Sequence, residues 1–201
     1  AILLISALGM PIIGFLFACA DKVILMLLGE QWLGVVPIFQ FLMPAAFNAT
    51  IGVGIGWVYQ SLGRVDRQLR WGVVASILNI IFFVIGVRWG AIGVAAAYGL
   101  SRPLFLVAGF TYCYKGTPLR LTELAKTLFL PAFASIGAAI ALIGIDRLLA
   151  FGLNNAIALV IDLILYSLLY FGIWIVIPNG KHTLLEILQI IKALKQKREK
   201  I

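Results

Sequence analysis

Arg102 and Asp162 are ionisable side chains set inside long apolar runs. A charge at the centre of a membrane-spanning helix costs about 2.5 to 3.5 kcal/mol on insertion scales, so each needs a partner or a water-filled cavity. A guanidinium facing a cavity binds phosphate through paired N–H donors, which makes Arg102 a candidate anion contact. A structural ion pair between Arg102 and Asp162 is the competing reading. Arg102 lies about 10 residues into its run and Asp162 about 7 into another; at about 1.5 Å per residue they differ by about 4 to 5 Å in depth, which allows a pair. Both readings hold if the pair borders the cavity. An unpaired Asp162 would instead be a candidate proton or sodium carrier.

Asp162, Tyr166 and Tyr170 recur at i, i+4 and i+8 and share one helix face. Tyr166 is as well suited to a substrate path as to a packed interior. Tyr170 and Trp174 lie near the end of the run, where aromatic-belt positions are expected. Asn48, Gly52 and Gly56 share a face with GxxxG spacing, and Gly72, Ser76 and Asn79 repeat the theme. Small residues admit a close neighbouring helix and the amides can bond across it, so close packing is expected there, with a substrate role for Asn48 or Asn79 as the alternative. Pro37, Pro44, Pro103 and Pro131 lie inside or at the edges of the runs and permit kinks.

The elements that carry these residues follow from composition. The 201 residues are 63% hydrophobic and 12% charged, with a mean hydropathy of +1.08, far outside the soluble globular range. About 20 mostly apolar residues cross a roughly 30 Å hydrocarbon core. Spans are expected over about 2–20, 37–60, 71–88, 92–114, 127–146 and 155–177. None alternates with period two, so an all-α integral membrane bundle of six helices over residues 1–178 is expected rather than a β-barrel. Cys19 and Cys113 fall within spans, where cysteine acts as a small hydrophobe, and no metal or cofactor spacing is present. The chain opens inside an apolar span without Met, as expected for a piece of a longer protein.

Lys and Arg are unevenly divided among the connections. Arg64, Arg67, Arg70, Lys115, Arg120, Lys126 and the tail supply 12 basic residues on one side, against Lys22, Arg88 and Arg147 on the other. The positive-inside rule then puts the N-terminal end and the tail in the cytoplasm. The net charge of +8 is a topology signal rather than a nucleic-acid surface. Residues 179–201 form the tail. Thr183-Leu-Leu-Glu186 has capping-box form and precedes Leu188, Ile191, Leu194 and a basic end, which predicts an amphipathic helix on the membrane surface or a frayed terminus.

Three stretches carry a family resemblance: Val23-Ile-Leu-Met-Leu-Leu-Gly-Glu-Gln-Trp32 with Val36-Pro37; Tyr59-Gln-Ser-Leu-Gly-Arg-Val-Asp-Arg-Gln-Leu-Arg70; and Trp89-Gly-Ala-Ile-Gly-Val-Ala-Ala-Ala-Tyr-Gly-Leu-Ser-Arg102. In order and spacing the chain resembles the C-terminal half of the multidrug/oligosaccharidyl-lipid/polysaccharide flippase superfamily, in its polysaccharide-export and O-antigen branch. That resemblance implies two six-helix lobes facing across a cavity and working by alternating access, of which this is the second. The absent N-terminal lobe, membrane lipid and a polyprenyl diphosphate sugar are the implied partners. One lobe alone is not expected to transport. A bacterial inner-membrane location follows from the same resemblance, with Arg102 contacting the anionic part of the substrate and Asp162 positioning it.

An enzyme is not expected. No clustered acids, no His/Cys metal spacing and no Ser or Cys nucleophile beside a His are present, and the connections are too short to house a soluble active site. Two alternatives remain: an ion-coupled drug antiporter of the same superfamily, favoured by a solvent-accessible Asp162, and a noncatalytic membrane scaffold.

Overall fold

A computed structural model describes residues 2–148 and 155–177 together with 180, 183 and 184. Most of the 179–201 tail, including the expected surface helix, lies outside the described residues. Seven α-helices appear among those described: α1 (Ile2–Ala18), α2 (Ala20–Leu28), α3 (Val36–Ser61), α4 (Val65–Gly86), α5 (Gly90–Tyr114), α6 (Leu121–Leu148) and α7 (Asn155–Val176). Short 3-10 turns at Glu30–Val35 and Val87–Trp89 lead into α3 and α5.

Among the described residues, four helical stretches are long and apolar enough to cross a membrane: Glu30–Ser61, Val65–Tyr114, Leu121–Leu148 and Asn155–Val176. A fifth is added if α1 and α2, which meet at an 80° bend, count together. The Val65–Tyr114 stretch doubles back. Trp71 and Tyr112 bring their ring centroids within 6.3 Å, Phe82 and Phe105 within 5.9 Å and Phe83 and Tyr98 within 5.7 Å, so α4 and α5 run antiparallel. At the turn, Gly90 takes φ 66°, a left-handed conformation that suits glycine.

Small residues set the closest crossings. A Cβ on Gly99 of α5 would collide with the Phe41 carbonyl of α3, and one on Gly86 of α4 would lie 2.7 Å from the Gly93 carbonyl of α5. The expected close packing at Gly52 and Gly56 is not found: a Cβ on either would meet its nearest atom at 3.9 Å, and one on Gly72 would meet nothing within 4 Å. GxxxG spacing creates a groove, but here no neighbouring backbone fills it.

Two interior clusters hold the bundle. Tyr166, Tyr170 and Trp174 of α7 pack with Ala7 and Cys19 near α1 and with Ala134, Ala138 and Leu142 of α6. Met10, Ile51, Phe110 and Leu128 join α1, α3, α5 and α6. Large apolar side chains such as Ile80, Val84, Leu104, Ile140 and Leu168 remain exposed on the outer surface, as a bilayer solvent requires.

Candidate functional site

The Arg102 site is built where α3, α4 and α5 meet. Gly99 lets α5 approach α3, and the ring contacts between α4 and α5 hold the third wall. Arg102 donates from Nη2 to Asn79 Oδ1 at 2.9 Å. Its guanidinium carbon lies 3.9 Å from the Tyr98 ring centroid and 5.6 Å from that of Phe105, placing the cation over aromatic faces. Arg102 Nε is buried and has no hydrogen-bond partner among the described residues. No carboxylate forms an ion pair with Arg102 among those residues.

Beside it lies a cavity of about 220 Å³ lined by Asn48, Gly52, Trp71, Tyr98, Arg102 and Phe105, among others. Asn48 donates its amide to the Pro44 carbonyl at 2.7 Å within α3. Asn48 also lines a second, mainly apolar cavity of about 370 Å³ bounded by Gly14, Phe17, Met43, Phe47, Pro103 and Ile140, among others. The missing Cβ of Gly52 thus shapes a cavity wall rather than a helix contact. An unneutralised guanidinium beside neutral amides and aromatic faces suits an anion, above all one with paired oxygens.

Asp162 lies elsewhere and does not pair with Arg102. Its Oδ2 accepts from Lys22 Nζ at 2.6 Å, and Lys22 also donates to Asp146 Oδ2 at 2.8 Å. The Cys19 thiol points at the same Asp162 oxygen from 3.7 Å. Depth alone allowed the Arg102 pair, but α7 packs on α6 and α2, away from the Arg102 wall. With its charge met by Lys22, Asp162 is not the unpaired carboxylate on which the proton- or sodium-carrier expectation rested. Sequence reasoning counted Lys22 as a loop charge and passed over Asp146. The signal was the opposed Asp-Lys and Asp-Arg neighbours at 21–22 and 146–147, at two span ends predicted to share one membrane side.

Tyr166 is braced rather than open to a path. It bonds the Ser135 carbonyl at 3.1 Å and lies 3.1 Å from the Ser135 hydroxyl, which itself donates to the Met10 carbonyl at 2.8 Å. The belt expectation for Tyr170 and Trp174 is also corrected, because both are buried. Pro11 has no N–H for the Ala7 carbonyl, and the Tyr170 hydroxyl donates to that carbonyl at 2.9 Å. The stripe therefore joins α7 to the proline-interrupted α1.

At the end of α5, Arg64 donates to the Lys115 and Gly116 carbonyls and Arg67 to that of Lys115, at 2.9 to 3.1 Å. Cations there complement the helix C-terminus, and Gly116 at φ 78° turns the chain away.

No family model and no solved structure matches the chain. The lipopolysaccharide biosynthesis protein WzxC of Escherichia coli (strain K12) is 24% identical to it over 136 residues, which cover 66% of this chain and 27% of WzxC. The match thus spans little more than a quarter of that protein's length.

Proposed function

We propose that the chain is one lobe of a membrane transporter that moves a lipid-linked oligosaccharide to the outer leaflet of a bacterial inner membrane by alternating access. The observation that carries this reading is the Arg102 guanidinium, which among the described residues has no carboxylate partner and a buried Nε without a hydrogen bond, beside a cavity within an apolar bundle. The similarity to a lipopolysaccharide biosynthesis protein supports the substrate class. Because α4 and α5 fold back on each other, the reading counts them as separate crossings, six in all when α1, the 17-residue first arm of the bent α1–α2 pair, is taken as the first. Its orientation, with N-terminal end and tail cytoplasmic, follows the division of basic residues.

In this reading Arg102 takes the diphosphate, Asn79 aims the guanidinium and Asn48 supplies a neutral polar contact. Asp162 and Tyr166 brace the lobe. A second lobe closes the cavity from the opposite side. The ion-coupled antiporter reading loses its support, since Asp162 is paired with Lys22. A noncatalytic scaffold would have no use for an unneutralised intramembrane arginine, which costs about 2.5 to 3.5 kcal/mol to insert.

Binding tests this reading directly. In the full-length protein, a short-chain prenyl diphosphate sugar should bind, and Arg102→Ala should weaken binding at least about tenfold, the loss of roughly 1.5 to 3 kcal/mol expected of a charged hydrogen-bonding group. Arg102→Lys should fall between, because an ammonium keeps the charge and loses the fork. Equal affinity of all three proteins would refute the assignment.

A further inference from the structure

The stretch Ala20–Val35 joins α1 to α3 as a short helix and a 3-10 turn rather than as a loop. At 9 residues and about 1.5 Å each, α2 is roughly 14 Å long, under half of a roughly 30 Å hydrocarbon core, so it cannot cross one. It leaves α1 at 80°, so with α1 near the bilayer normal it lies close to the bilayer plane. Gly29, at φ 89°, ends it, and Pro37 stands in the first turn of α3.

The N-terminal part of this elbow is fixed to the bundle. Ala20 and Ile24 are buried, and Lys22 is held by Asp146 and Asp162 from α6 and α7. Beyond that anchored first part, the C-terminal end of α2 and the turn after it carry Met26, Leu27, Leu28, Trp32 and Leu33, all exposed, with Leu27 at 73%. Trp89, also exposed, lies at the same end of the bundle, since the start of α5 adjoins the start of α3 through Gly99 and Phe41. Two exposed tryptophans at one end mark the level of a membrane–water interface. The apolar surface continues from the elbow onto α7, against which α2 packs and which exposes Ile157, Val160, Ile161 and Ile164.

We propose that Ala20–Val35 is an interfacial elbow that lies in the headgroup region of one leaflet and sets Leu27 and Trp32, from its exposed C-terminal half, into the upper acyl chains. Its occupant is phospholipid, held by apolar insertion. Local charge argues against electrostatic attraction to anionic lipid: Lys22 is neutralised by two carboxylates, and Asp21 and Glu30 are acidic. Anchoring of this kind scales with buried apolar area. The elbow would hold the ends of α1 and α3 at a constant depth while the rest of the lobe tilts.

The test places a nitroxide at Leu27→Cys, and separately at Asp21→Cys, in the full-length protein in phosphatidylcholine nanodiscs. Cys19 and Cys113, the two thiols of this chain, are fully buried and stay unlabelled, and any cysteine outside it is replaced by serine. Oxygen should reach Leu27 far better than a water-soluble nickel chelate does, and the oxygen-to-nickel ratio should fall several-fold at Asp21. Neither value should change on adding anionic lipid or salt. Nickel access at Leu27 equal to that at Asp21 would place the elbow in water and overturn the proposal. Exclusion of both probes from Leu27 would show that protein covers it, and a shift with anionic lipid would show electrostatic binding; either also overturns it.

Discussion

Replacing Lys22 with Met leaves Asp162, only 4% exposed, without the ammonium that neutralises it. Removing one partner of a buried ion pair costs about 3 to 5 kcal/mol, because the remaining charge is stranded. Asp146 differs. Its side chain is 30% exposed, so Asp146→Asn should cost only about 0 to 1 kcal/mol, as at a surface pair. Adding Asp162→Asn to Lys22→Met removes the stranded charge and should recover about 1 to 3 kcal/mol, the desolvation cost of an unsatisfied group. Unfolding in mixed micelles can be followed by tryptophan fluorescence, since Trp174, on the same helix as Asp162, is fully buried. The expected order of stability is wild type, Asp146→Asn, the double variant and then Lys22→Met. A double variant less stable than Lys22→Met alone, or an Asp146→Asn loss as large as that of Lys22→Met, would refute the account of a carboxylate neutralised by one lysine.

Other perturbations separate the remaining contacts. Tyr170→Phe strands the Ala7 carbonyl and should cost about 1 to 3 kcal/mol, whereas in a Pro11→Ala background, where residue 11 regains its N–H, the same change should cost under about 1 kcal/mol; equal costs in a fluorescence titration would contradict this pairing. Gly99→Ala drives a methyl into the Phe41 carbonyl and should destabilise the bundle by at least about 1 to 3 kcal/mol, while Gly72→Ala, with open space around it, should gain about 0.5 to 1 kcal/mol from helix propensity; thermal melts in detergent give both. Asn79→Ala frees Arg102 Nη2 without removing its charge, so prenyl diphosphate binding should weaken by less than in Arg102→Ala; an equal loss would show that aim matters as much as charge.

How far the structure was legible in the sequence varies with the kind of information needed. Long apolar runs are one-dimensional, and helices lie along them, with α3 at Val36–Ser61 where 37–60 was expected and α7 at Asn155–Val176 where 155–177 was expected. The elbow was not legible as structure. Asp21, Lys22 and Glu30 bracket a short apolar stretch, and nothing in that pattern tells a bent helix from a connection. Lateral position was the other gap. Axial rise gave the similar depths of Arg102 and Asp162, but their partners depend on which helix stands beside which, and Asn79 and Lys22 arrive from α4 and α2. GxxxG spacing at Gly52 and Gly56 failed for the same reason, because a groove becomes a contact only where a neighbour fills it. Asp162, Tyr166 and Tyr170 do share a face, but that it turns inward depends on partners from other helices: Lys22 of α2, Ser135 of α6 and the Ala7 carbonyl of α1. The Arg102 site was half legible: its intramembrane charge was plain, its aromatic and amide surroundings were not.

The most direct test of the central claim is a translocation assay on the full-length protein in liposomes. A fluorescent polyprenyl diphosphate oligosaccharide is placed in both leaflets, and movement is read by its protection from an external quencher. The account expects wild-type protein to move the lipid and Arg102→Ala to stop movement while still inserting and folding, with Asp162→Asn stable enough to retain it. Wild-type translocation that Arg102→Ala leaves unchanged would contradict the claim that this guanidinium binds the moving anion.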